Sequence, residues 1–114
     1  MNVHYLEIVT AEVDAICKAY EASMGANFGE PNPMLGGART CTREDGSMVG
    51  VRAPMRADEA PVVRPYWLVN DIEKALDQVA QQGGAVAMPR MEIPGKGFFA
   101  IYILGGTDQG FWEL

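Results

Sequence analysis

The stretch RPYWLVNDIEKALDQVA, residues 64–80, decides the fold, because residues 5–24, YLEIVTAEVDAICKAYEASM, are built to the same plan. In each, an extended run leads through a short turn into a helical pattern. In each, the helix is followed by glycine, Gly25 in the first and Gly83-Gly84 in the second, and then by further extended pieces. Internal repetition of this kind depends on two matching halves and not on one motif.

Working outward from the second copy, VVRPYWLV (62–69) reads as a strand. Pro65 argues for an edge position or a bulge near its start. Asn70 and Glu73 have capping-box spacing, and Ile72, Ala75, Leu76 and Val79 form one buried helical face. AVAMPRM (85–91), GFFAIYIL (97–104) and GFWEL (110–114) are three extended segments, with the glycine-rich turn IPGKG (93–97) between the first two.

In the first copy, strand alternation over residues 2–9 puts His4, Leu6 and Ile8 on one face and Tyr5, Glu7 and Val9 on the other. Leu6 and Ile8 should meet a helix. Thr10 is the expected N-cap, and Val13, Cys17, Tyr20 and Met24 are expected as a buried stripe. Residues 29–37, GEPNPMLGG, are a loop. Residues 38–43 and 47–52 read as a hairpin turning through Asp45-Gly46 as type I′. The polar, proline-bounded APMRADEAP (53–61) reads as a linker between module one (1–52) and module two (62–114) of a single domain.

Composition sets the outer bounds. A chain of 114 residues, 48% hydrophobic and 21% charged, suits one ordinary globular domain. The formal net charge of -6, with no lysine or arginine cluster, argues against a phosphate backbone as partner. No apolar run reaches the roughly 20 residues of a membrane span, so no membrane partner is expected. MNVHYLEIVT lacks the basic start and apolar centre of a signal peptide, and a cytoplasmic location is the expectation. Cys17 and Cys41 lack metal or redox spacing and are expected as reduced, buried thiols.

These residues resemble a known family. VxDIxxAL, here Val69, Asp71, Ile72, Ala75 and Leu76, and GGAVAMPRMEIPGKGFFAIY (83–102) are similar to the vicinal-oxygen-chelate superfamily, which includes glyoxalase I, extradiol dioxygenases, and bleomycin and fosfomycin resistance proteins. The resemblance implies an α+β fold: two βαβββ modules in a cupped mixed sheet of about eight strands, with helices on the convex side. It also implies a homodimer.

The family's metal ligands come from the first and closing strands of each half. With Glu12 and Asp71 as anchors, the first-strand positions fall on Tyr5 and Arg64. FWEL places Glu113 at the closing position of the second half, and the first half offers only Met48, Val49 and Gly50 there. His4 is the only histidine, so a two-histidine, one-carboxylate triad cannot form within one subunit. No cofactor is therefore expected, and a divalent metal is the minor reading.

Two functions follow from the resemblance. One is a metal-free protein that binds a small molecule, with Tyr5, Arg64, Tyr66 and Trp112 lining the site. The other is a glyoxalase-like lyase or isomerase with Glu113 as base, and with Glu7 as a second carboxylate whose pKa is held apart from it. Arg64 is suited to a carboxylate or enolate oxygen, and the aromatic residues to a flat or apolar ligand. Whether the chain is an enzyme is left open by the sequence, as is the ligand.

Overall fold

A computed structural model describes all residues from Met1 to Leu114. The architecture is α+β, with seven strands and two helices in the order β1 (Val3–Val9), α1 (Val13–Met24), β2 (Arg39–Thr42), β3 (Met48–Arg52), β4 (Val62–Leu68), α2 (Ile72–Gln81), β5 (Ala85–Ile93), β6 (Gly97–Leu104) and β7 (Thr107–Glu113). Neither helix is long and apolar enough to cross a membrane. The expected count of eight strands becomes seven because the stretch after α1 forms no strand. It holds instead a 3-10 turn at Pro33–Leu35, one isolated bridge between Asn32 and Ala38, and a single bond from Gly29 N–H to the Thr40 carbonyl at 3.0 Å.

The chain divides into two compact units, residues 6–63 and residues 1–5 with 64–114. In the first unit the strand order is β2-β3-β1, and β2 pairs antiparallel with β3 in the register Arg39↔Val51 to Thr42↔Met48. Ile8, Cys17, Phe28 and Val51 form its core, with Val13, Ile16 and Tyr20 packed around them. Cys17 is buried as expected, Cys41 is only half-buried, and Met24 at 67% exposure lies outside the stripe predicted for it.

Two local corrections apply here. The N-cap of α1 is Glu12 and makes no side-chain cap, while the Thr10 hydroxyl accepts the Glu12 N–H at 3.0 Å. The hairpin is not a type I′ turn, which needs two positive φ angles. Only Gly46 is positive, at 87°, and the Asp45 carboxylate accepts instead from the Ser47 N–H and hydroxyl.

In the second unit the order is β1-β4-β7-β6-β5, with β4 parallel to β7, and β7 with β6 and β6 with β5 antiparallel. Ile72, Leu76 and Val79 of α2 pack on Ala100, Tyr102 and Phe111. The α2 N-cap is Asp71, not Asn70, its carboxylate accepting the Lys74 N–H at 3.1 Å. β4 lies inside the sheet and not at its edge. Pro65 is tolerated there because the register with β7 starts one residue later, at Tyr66↔Gly110. The edge strand is β5, where Pro89 falls within a register shift between Met88 and Met91.

Candidate functional site

Strand alternation in the second unit sorts the candidate residues onto two faces. Phe111 packs against α2, so Glu113 shares the α2 face, whereas Trp112, Gly110 and Asp108 share the other. Arg64 and Tyr66 of β4 lie on this second face, since Tyr66 is opposite Gly110. A Cβ on Gly110 would collide with the Tyr66 ring, so glycine there lets that ring lie across β7. The Tyr5 ring is 5.3 Å from Trp112 and 5.7 Å from Tyr66 between centroids, and Tyr66 meets Trp112 at 6.1 Å edge-on. His4 is 5.6 Å from Trp112. The Trp112 indole N–H reaches the Lys96 carbonyl at 3.3 Å. Four expected ligand-binding residues, Tyr5, Arg64, Tyr66 and Trp112, thus share one face, all buried.

Asp108 is the residue that sequence reading missed. Its carboxylate accepts Arg64 Nε at 2.7 Å, with the Arg64 side chain nearly buried and that of Asp108 40% exposed. Asp108 stands in GGTDQG (105–110), a stretch in which no motif marks an aspartate for a site. Counting back from Trp112 in steps of two would have put Asp108 on the Arg64 face.

Glu113 is placed differently from its expectation. One oxygen accepts the Ile72 N–H at the first turn of α2 (2.9 Å), and the other accepts Arg90 at 2.8 Å. The Arg90 guanidinium lies 3.7 Å from the centre of the Phe98 ring. The Arg90 hydrogen bond, followed by the Ile72 N–H, holds the Glu113 carboxyl below the usual range. A carboxylate so stabilised is a weaker base.

Glu7 belongs to the other unit. It is buried and accepts Arg52 Nε at 2.8 Å, on the face of β1 turned from the Ile8 core. In neither unit do three His, Cys, Asp or Glu side chains converge as a metal site would need. At the positions the resemblance assigns to ligands in the second unit stand a phenol, a guanidinium and an arginine-paired carboxylate, a donor set that does not fit a divalent cation.

No family model matches the chain. A curated protein named "Putative glyoxylase CFP32", from Mycobacterium tuberculosis and Mycobacterium bovis, is 27% identical over 116 residues, covering 96% of this chain. This chain spans 44% of that relative's length. Among solved structures, Streptomyces coelicolor methylmalonyl-CoA epimerase in complex with 2-nitronate-propionyl-CoA superposes with a TM-score of 0.68 at 14% identity, covering 97% of this chain and 95% of that one. A hypothetical protein from Bacillus halodurans C-125 gives 0.71 at 12%, covering 99% and 94%. The chain shares the fold of these solved structures. Within that fold, Arg64, Asp108 and the aromatic residues of the second unit form the candidate site.

Proposed function

We propose that this chain is a small-molecule binding protein of the glyoxalase and bleomycin-resistance kind, built from two copies of one module, working without the metal usual to such folds and acting in the cytoplasm as a homodimer. One observation supports binding over proton transfer. Both carboxylates expected as bases are engaged by guanidinium groups, Glu113 by Arg90 and Glu7 by Arg52. The chemistry of recognition gathers on one face: Arg64, oriented by Asp108, beside Tyr5, Tyr66 and Trp112. That combination suits a flat ligand bearing a carboxylate or enolate oxygen. The rings pack against one another, so a ligand entering among them must replace those contacts.

The alternative, a lyase or isomerase with Glu113 as base, draws on the names of similar proteins, an epimerase and a glyoxylase. The lowered Glu113 pKa and its position on the α2 face weigh against it.

Purified protein, screened against aromatic and heteroaromatic carboxylates by tryptophan fluorescence, should show saturable quenching that Trp112→Phe removes and Arg64→Ala weakens. Elemental analysis should show no stoichiometric metal. Stabilisation by nickel, zinc, iron or manganese that Glu113→Ala abolishes would replace this reading with the enzymatic one.

A further inference from the structure

The segment 53–61, read from sequence as a linker, is tied down by one buried ion pair. Arg52, the last residue of β3, is only 4% exposed. Its two terminal nitrogens meet the two oxygens of Glu59, Nη1 to Oε1 at 3.0 Å and Nη2 to Oε2 at 2.7 Å. Nη1 also reaches the Ala53 carbonyl at 3.2 Å, and Nε holds Glu7. Glu59 Oε1 accepts the Met55 N–H at 2.7 Å, closing the segment into a loop over Arg52. Gly36 lies beneath: a Cβ there would collide with the Met55 methyl and crowd the Arg52 side chain. Between these two anchors the loop is exposed, with Arg56 and Asp58 pairing in solvent.

The geometry points to Arg52 as a carboxylate-binding residue whose seat Glu59 occupies from within the chain, and which a small aliphatic carboxylate takes when the 53–61 loop lifts away. Two parallel N–H···O bonds to a carboxylate are the arrangement by which arginine recognises carboxylate ligands. The loop brings to this spot one carboxylate and the methyl of Met55, a residue otherwise 65% exposed, and their departure would leave a seat for a charged head beside Gly36. The Glu59 carboxyl is held down to about 2, chiefly by its hydrogen bonds to Arg52, so mild acidification does not open the seat. This inference does not rest on the Arg64 reading, since all its residues lie in the first unit.

Butyrate is the probe, titrated at constant ionic strength against chloride. Thermal stabilisation of Glu59→Gln by butyrate should saturate at a concentration at least about tenfold lower than in the parent protein, because an internal competitor at millimolar effective concentration has been removed. In the parent protein, butyrate should accelerate tryptic cleavage after Arg56, and chloride should not. An equal butyrate response in both proteins overturns the inference. So does a Glu59→Gln response that persists when Arg52→Gln is added. Should Glu59→Gln not fold, cleavage of the parent protein decides alone, and no acceleration by butyrate overturns it.

Discussion

The two units begin alike and end differently. After α2 the chain lays down three strands, whereas after α1 it lays down two and spends residues 26–38 on a 3-10 turn and one bridge. In the second unit the seam beside the end of α2 is filled. Gly84 is so close to Val79 and to the Ile103 carbonyl that a Cβ there would collide. In the first unit the corresponding end of α1 stands over a groove of about 940 Å³, lined by Leu6, Ile8, Tyr20, Phe28, Cys41 and Val49 among others. A helix laid on a sheet buries its apolar stripe fully only where the sheet reaches beneath all of it. The exposure of Met24, at the last turn of α1, follows from that shortfall.

The sharpest way to break this contrast is to truncate the first residue of each helix. Ile72 is wholly buried, and Ile72→Ala should cost about 2–5 kcal/mol, whereas half-buried Val13→Ala should cost about 1 kcal/mol, both read from urea unfolding. Equal losses would mean that the two helices are seated equally tightly at their starts. Next in size, Gly84→Ala should destabilise by about 1–3 kcal/mol through overpacking, seen as a lower Tm. The caps offer a smaller contrast. Asp71→Ala removes a side-chain cap and should cost about 1 kcal/mol, while Glu12→Ala removes none and should leave thermal stability within about 0.5 kcal/mol. The smallest effect is expected in the groove. Ala26→Leu adds apolar volume there and should raise stability by about 0.5 kcal/mol, and a loss of more than that would show the groove closed in solution.

Much of this was legible in the residues. Ile72, Leu76 and Val79 declared α2 by their spacing, and the alternation from Tyr5 to Val9 put Glu7 opposite Ile8, as found. Glu113 was read through resemblance, which gave its place in the chain but not its face. The apolar Phe111 two residues earlier carried that information, because a residue packed on a helix fixes the side on which its alternate neighbours lie. Glu59 was illegible for a different reason. Its bond with Arg52 crosses a loop with no periodicity, and nothing in APMRADEAP distinguishes a buried glutamate from a solvated one. Asp108 pairs with a residue 44 positions away, a distance that only strand register converts into a contact.

The division of β1 carries a consequence for how the protein is made. Residues 1–5 belong with residues 64–114, and the Asn2 carbonyl accepts the Leu68 N–H at 2.8 Å while Tyr5 rests on Trp112. The second unit therefore cannot be completed on the ribosome until residue 112 has emerged, long after its first strand was synthesised, and such distant closure is slow. A fragment cut at residue 64 would lack a strand and the ring that caps its tryptophan, so truncation studies of the Arg64 face need the chain from its first residues onward.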